Sequence, residues 1–211
     1  HPVTFEGQAY RVSGDGPFAN GSLHVGTPLA SGSVKVTAPE TILYDQYGVV
    51  MIDFWFWYDS SYVDGGYIFA MEAPGVALRL YSYGQSMTAE WYGNDYVDNV
   101  SIGGMFSNPQ RDSWHPVRLV IGNSMLILAL DGVECQRANT PGLVFPDYTA
   151  LTLLEFGRYL EPNFFVGRFS DITVIEDDFT YYNNSGGDSG PYPVPRAPVT
   201  KATQPGPLTV G

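Results

Sequence analysis

The clearest pattern in the chain is an alternation of apolar side chains between residues 50 and 58. Every second residue of this segment is apolar and could face a protein core, namely Val50, Ile52, Phe54 and Phe56. The residues between them would face the other way, because successive side chains of a β-strand point to opposite faces. A period of two over this length predicts a strand.

Turn signals separate several further apolar runs. Leu119–Ile121 and Met125–Leu130 are split by Gly122-Asn123, and Asp131-Gly132 follows. Both dipeptides favour the tight turns of β-hairpins. Further strands are predicted at Val3–Glu6, Ser33–Thr37, Val76–Leu80, Met87–Tyr92, Leu151–Phe156 and Phe164–Val174. Helical periodicity is scarce, and about ten short strands with frequent turns predict an all-β sandwich or barrel.

The composition changes near residue 178. Residues 1–178 carry the apolar runs and form the predicted β domain, whereas residues 179–211 are rich in Gly and Pro with little aliphatic periodicity. Such a segment favours an extended, polyproline-like arm. Two interpretations stay open: a linker to another domain, or an arm that packs on a neighbouring subunit and supports self-assembly.

Charge and composition narrow the classes of partner. The chain is 44% hydrophobic and 15% charged, which is typical of a folded domain. Its formal net charge of −12 would repel a phosphate backbone, so no nucleic acid partner is predicted. No apolar run approaches the roughly 20 residues of a membrane-spanning helix, and no membrane insertion is predicted.

The chain ends and the cysteine content bear on its location. The one cysteine, Cys135, allows no intrachain disulfide and so removes the strongest sequence sign of secretion. However, the sequence opens at His1 without Met. Sequons occur at Asn20, Asn99 and Asn183. We therefore expect a product processed from a precursor, located outside the cell or on the surface of a particle.

Five segments in this order resemble concanavalin A-like, laminin G-like domains. They are VTFEGQAYRV, VVMIDFWFWYD, the hairpin GGYIFAMEAPGVALRLYSYG, DSWHPVRLVIGNSMLILALDGVE and LLEFGRYLEPNFFVGRFSDITVIED. The resemblance implies a jelly-roll sandwich of two antiparallel sheets, and functions in binding glycans, proteins or calcium. Since one fold hosts many functions, the site must decide between them.

Catalysis is not predicted. Catalytic domains similar to this fold carry an E-x-D-x-x-E strand, because a retaining glycosidase needs two carboxylates about 5 Å apart. Here Asp53, Glu90 and Glu155 fall on separate strands and are interpreted as surface or edge charges. An enzyme acting on polysaccharide, including one with copper at His1, is the weakest hypothesis.

Two tryptophans suggest a binding face. If Val50 to Phe56 alternate into the core, Trp55 and Trp57 lie on the outer face, where indole rings suit sugar stacking or a protein contact. The same surface is predicted to extend over Arg79, Tyr81, Tyr83 and Trp91. The alternatives are that a loop or the arm covers the rings, or that the parity of the strand is reversed.

Calcium is the remaining metal candidate. Its predicted ligands are acidic residues of apparent loops, Asp59, Asp64, Asp95 and Asp98. Carboxylate oxygens are the ligands Ca²⁺ prefers, but the spacing matches no dedicated calcium loop. No cofactor is required by the rest of the sequence. The first hypothesis is therefore a recognition module for a glycan or protein surface, and the second is a structural subunit of a capsid, fibre or extracellular filament.

Overall fold

The computed structural model describes residues 3–27, 29–37, 49–58, 65–83, 86–93, 98–105, 112–122, 125–139, 152–157 and 165–177. These residues form fourteen β-strands, arranged in two antiparallel sheets of seven. Within this part of the chain, no helix has the length and apolar character needed to cross a bilayer.

The first sheet has the strand order β1-β4-β13-β6-β7-β8-β9. Its strands are β1 (Val3–Gly7), β4 (Gly32–Val36), β13 (Leu153–Phe156), β6 (Gly66–Ala73), β7 (Val76–Tyr83), β8 (Ser86–Gly93) and β9 (Asp98–Met105).

The second sheet has the order β12-β11-β10-β5-β14-β3-β2. Its strands are β12 (Val133–Asn139), β11 (Met125–Leu130), β10 (Trp114–Gly122), β5 (Val49–Tyr58), β14 (Gly167–Asp177), β3 (Ser22–Val25) and β2 (Ala9–Val12).

The apolar core lies between the two sheets and follows the alternation of the sequence. In β5, the predicted inward residues Val50, Ile52, Phe54 and Phe56 all belong to it. An aromatic cluster fills its centre, where the ring centroids of Phe156 lie 6.0 Å from Phe54 and 5.7 Å from Phe169. The predicted fold class, an all-β sandwich of two antiparallel sheets, is confirmed.

The predicted hairpin around residues 119 to 130 is also confirmed. Strands β10 and β11 pair from Gly122↔Met125 to Val117↔Leu130. Asp131 and Gly132 then form the turn into β12, with φ angles of +53° and +79°. Positive φ at both central positions is the geometry of the tight hairpin turns that Asp-Gly favours.

The outer face of the second sheet is buried towards one end. Met51, Val120 and Ile127 alternate with core residues on their strands, yet each is 0% exposed. Asp53 lies beside them and forms a two-pronged ion pair with Arg118, with oxygen–nitrogen distances of 2.8 and 2.6 Å. The interpretation of Asp53 as a surface charge is therefore wrong, because its partner allows it to be buried.

Glu155 is also buried, at 4% exposure, in the middle of the first sheet. Its carboxylate lies 4.0 Å from the ammonium group of Lys35, which is bound at 3.0 Å by Glu6. The interpretation of Glu155 as an edge charge is therefore wrong as well. The predicted arm, residues 179–211, lies outside the described residues, so the domain boundary near 178 stays a prediction.

Candidate ligand-binding face

Five side chains form a continuous row across the other end of the same outer face. Strand register places Trp114 opposite Trp57, Trp57 opposite Arg168, Arg168 opposite His24, and His24 opposite Tyr10. All five point away from the core, since their neighbours along each strand point into it or towards it. Four strand spacings of 4.7–4.9 Å give this row a length of about 19 Å. We call it the aromatic–basic row.

Ring contacts hold the row in order. The centroids of Trp57 and Trp114 lie 5.5 Å apart with their planes at 69°. The guanidinium of Arg168 lies 4.9 Å from the centre of the Trp57 ring, which is a cation–π contact. At the far end, Tyr10 and His24 have centroids 5.0 Å apart, and Tyr10 is 53% exposed. The row therefore offers ring faces and hydrogen-bonding groups side by side.

Asp15 joins the basic members of the row from the loop between β2 and β3. Its Oδ2 accepts hydrogen bonds from Ser22 Oγ at 2.7 Å, His24 Nε2 at 2.8 Å and Arg168 Nη1 at 3.3 Å. Because a carboxylate can only accept, Nε2 of His24 carries the hydrogen.

The pKa of Asp15 reflects these contacts. Burial opposes ionisation and would raise the pKa, but the hydrogen bonds from Ser22, His24 and Gly16, together with the charge of Arg168, lower it from 3.8 to about 2. Asp15 is therefore a fixed negative charge within the row.

We expect Asp15 to stabilise the fold in a pH-dependent way. Since the folded-state pKa is lowered, the stabilisation is fully present above pH 3.8 and is lost as the pH falls through about 2. Its size is about 1 to 2 kcal/mol after allowance for solvent screening of a partly exposed carboxyl group. The measurement is urea unfolding of the wild type and Asp15→Asn across this range. The difference between them should shrink towards low pH, whereas a constant difference would show that the charge of Asp15 contributes nothing.

The loop that carries Asp15 also covers part of the predicted face. Residues 13–21 fold over β14, and Gly16 has φ +112° in a place where a Cβ would lie 2.8 Å from the Gly21 carbonyl oxygen and 2.9 Å from Ser170 Oγ. Only glycine fits there without a shift. The loop brings the ring of Phe18 edge-on to Trp55, with centroids 5.5 Å apart. The alternative of a covering loop thus holds in part for Trp55, while Trp57 belongs to the aromatic–basic row.

A series of side-chain hydrogen bonds fixes the strand at Trp114. The two residues that flank Trp114 take part in it: Ser113 Oγ lies 2.8 Å from His115 Nε2, and His115 Nδ1 lies 3.2 Å from Asp131 Oδ1. His115 is 7% exposed and packs on Phe56 at 5.6 Å. These hydrogen bonds connect the start of β10 to the β11–β12 turn, and they hold Trp114 between its two anchored neighbours.

The other predicted binding residues lie elsewhere. Arg79, Tyr81 and Tyr83 alternate with core residues on β7, so they face outward from the first sheet, on the opposite side of the sandwich from Trp55 and Trp57. The single predicted surface is therefore divided between two faces. Whether residues of either face bind a ligand stays a prediction.

Trp91 needs a correction of a different kind. It is 4% exposed and belongs to the core. In β8, Met87, Ala89 and Trp91 point inward while Glu90 and Tyr92 point outward. Trp91 therefore cannot extend an outer surface as predicted.

Arg79 is engaged within the outer face of the first sheet. Its guanidinium lies 4.7 Å from the centre of the Tyr92 ring and 3.4 Å from the Glu72 carboxylate. Burial, followed by the charge of Glu90, raises the pKa of both Tyr67 and Tyr92. These tyrosines stay protonated and can donate hydrogen bonds at neutral pH.

The predicted calcium ligands cannot be placed together. Asp59, Asp64 and Asp95 lie outside the described residues, and Asp98 begins β9. Across the described ranges, no group of three or more His, Cys, Asp or Glu side chains is arranged to hold a metal ion. A calcium site at these four aspartates stays a prediction.

The sequence prediction missed Tyr10, His24, Trp114, Arg168 and Asp15 as members of one surface. They come from four strands and a loop that are distant along the chain. The one available signal was parity: Trp114 and His115 stand next to each other at the start of an alternating strand, so one of them had to face outward.

Comparison with known proteins places the fold. No protein-family model matches the sequence, and no curated protein matches it. The chain is similar to the solved receptor-binding domain of botulinum neurotoxin mosaic serotype C/D, with a TM-score of 0.61 and 12% identity over 82% of this chain and 42% of that one.

Two further solved structures match over the same shares of both chains. One is the binding domain of botulinum neurotoxin DC in complex with rat synaptotagmin II, with a TM-score of 0.59 and 15% identity. The other has a TM-score of 0.61 and 14% identity, and it concerns botulinum neurotoxin type C, whose cell entry depends upon interaction with two ganglioside molecules. At this identity the likeness concerns the fold, and the chain spans about two fifths of the length of these structures, at 42%.

Proposed function

We propose that this protein is a non-catalytic recognition module that binds a saccharide on the aromatic–basic row. The observation that carries the proposal is the cross-strand register of Trp114, Trp57, Arg168, His24 and Tyr10. The aromatic members supply ring faces for the apolar face of a sugar, and the basic members supply donors for its hydroxyl groups.

The burial of these side chains supports the proposal. Trp57, Trp114, Arg168 and His24 are each only partly buried, and Tyr10 is half exposed. Sites for small ligands combine apolar surface with a few placed polar groups, and this row has that composition. Trp55 contributes less, since Phe18 packs against its ring.

The likeness to neurotoxin binding domains adds support of a weaker kind. Those domains bind gangliosides or synaptotagmin, and this chain corresponds to only part of their length. A location outside the cell or on a particle surface accords with such a role and with the sequons at Asn20 and Asn99. We also place the chain, as a proposal, among the concanavalin A-like, laminin G-like sandwiches.

Trp57→Ala and Trp114→Ala are each expected to weaken saccharide binding about ten-fold or more. Each removes a ring face and the edge contact with the other tryptophan, and 1.4 kcal/mol of lost contact corresponds to a ten-fold change. The measurement is an array of immobilised glycans, followed by titration calorimetry with the best ligand.

Trp55→Ala is the matched control. It removes the same side chain from the same strand and face, but a ring already packed by Phe18. We expect a small effect on binding, with circular dichroism unchanged in all three variants. Equal losses in all three, or none in Trp57→Ala and Trp114→Ala, would contradict the placement of the site.

A further inference from the structure

We infer that the saccharide bound by the aromatic–basic row is uncharged, and that sialylated or sulfated glycans are disfavoured. This inference rests on the proposed function and gives its ligand a chemical class. Four observations support it: the charges around the row, the engagement of Arg168, the position of Asp171, and the arrangement of the two indoles.

Among the described residues around the row, the acids are at least as many as the bases. The base is Arg168 in the row, since Arg11 opposes the core-facing Leu23 and so lies on the other face of β2 from Tyr10. The acids are Asp15 and Asp171, and His24 donates to Asp15. Even when His24 is counted as a base, these described side chains carry no net positive charge, while the whole chain carries −12. These side chains therefore do not attract an anion from a distance.

Arg168 is already compensated as a charge but retains hydrogen-bonding capacity. One nitrogen of its guanidinium binds Asp15 at 3.3 Å, and the guanidinium carbon lies 4.9 Å from the centre of the Trp57 ring. A guanidinium has five N–H donors, so several remain for hydroxyl or ring oxygens. A carboxylate or sulfate on the ligand would have to compete with Asp15 for this cation, whereas a hydroxyl group would not.

Asp171 places a second acid on the same face. It occupies the bulge of β14, with φ +51° and a register shift between Ser170 and Thr173. Its two oxygens accept from Asn20 Nδ2 at 2.7 Å and Ser170 Oγ at 3.0 Å. An anionic sugar next to Arg168 would thus meet carboxylates from both Asp15 and the β14 bulge.

Trp57 and Trp114 favour a ligand with apolar C–H faces. Their planes meet at 69°, which forms an angled pair rather than a flat stack. Pyranose rings present C–H groups on one face and hydroxyl groups at the edge, so one sugar unit can contact both indoles while its neighbour reaches Arg168. Neither indole offers a counter-charge to an acidic group.

The experiment compares matched glycans that differ only in charge. One oligosaccharide core is immobilised in unsubstituted, sialylated and sulfated forms, within an array of diverse neutral and acidic cores. Wild-type protein is expected to bind at least one unsubstituted core ten-fold or more tightly than its acidic forms, with affinity nearly independent of added salt. Trp57→Ala should lose this binding.

Asp171→Asn is the charge variant. Asparagine tolerates positive φ and keeps an acceptor for Asn20. Its amide nitrogen can donate to Ser170 Oγ, which itself donates to the Gly21 carbonyl oxygen, so the charge is removed and one hydrogen bond is reversed in direction. We expect this variant to reduce the difference in affinity between the neutral and the acidic forms of the glycan. Preference for acidic forms that is lost in Trp57→Ala would overturn the inference and leave the proposed site standing. Absence of all glycan binding, or glycan binding indifferent to Trp57→Ala, would overturn the proposed function itself.

Discussion

Replacing Asp53 by alanine is expected to lower the free energy of unfolding by about 3 to 5 kcal/mol, because it removes one partner of a buried ion pair. The two residues are 8% and 6% exposed, and two hydrogen bonds of 2.8 and 2.6 Å join them across β5 and β10. Urea unfolding of both proteins, followed by tryptophan fluorescence, measures the loss.

The chain provides a matched control for this pair. Arg137 binds Glu134 in the same two-pronged manner, at 3.0 and 2.7 Å, but on the edge strand β12 and with more solvent contact. Glu134→Ala is expected to cost less than about 1 kcal/mol, as partly exposed ion pairs do. A similar cost for both variants would show that burial does not govern the strength of the Asp53 pair.

A double replacement separates the cost of breaking the pair from the value of having it. Asp53→Leu with Arg118→Met should recover most of the stability lost in Asp53→Ala, because apolar residues of similar size often replace buried ion pairs without loss. The neighbours Met51 and Val120 are apolar and buried, so the site can accept such side chains. If the double variant is as unstable as Asp53→Ala, the pair has a structural role beyond charge compensation.

Local periodicity was enough to predict much of the sandwich. The parity of β5 and the β10–β11 hairpin depend on neighbours along the chain, and both were predicted from alternation and turn chemistry. Strands β3, β9 and β12 were not predicted. Each of these strands has few aliphatic residues to alternate. Strands β9 and β12 also lie at sheet edges, where partial burial requires fewer apolar residues.

Long-range pairing explains the errors at the site. Asp53 interrupts an apolar run, and nothing near it in sequence indicates Arg118 as a partner 65 positions away. The aromatic–basic row likewise exists only because β14 lies between β5 and β3. Trp91 is different, since Met87, Ala89 and Trp91 alternate with polar residues and the parity of β8 alone indicated that its indole faces the core.

Phe169→Ala is expected to cost about 3 to 5 kcal/mol, as truncations of fully buried aromatic residues do. The ring is 0% exposed, and its centroid lies 5.3 Å from Phe165, 5.7 Å from Phe156 and 6.1 Å from Phe54. Its loss would remove one member of the aromatic cluster at the centre of the core. For a domain whose total stability is typically about 5 to 15 kcal/mol, this is a large share.

The position of Phe169 also connects the core to the aromatic–basic row. It stands between Arg168 and Ser170 on β14, the strand that joins β5 to β3. A cavity beneath it should loosen the strand that carries Arg168, so saccharide binding should weaken together with stability. Val133→Ala, at a side chain 60% exposed on β12, is the control and should stay within about 0.5 kcal/mol of wild type. Unfolding that is as resistant to urea in Phe169→Ala as in Val133→Ala would mean that the two sheets do not pack through this cluster.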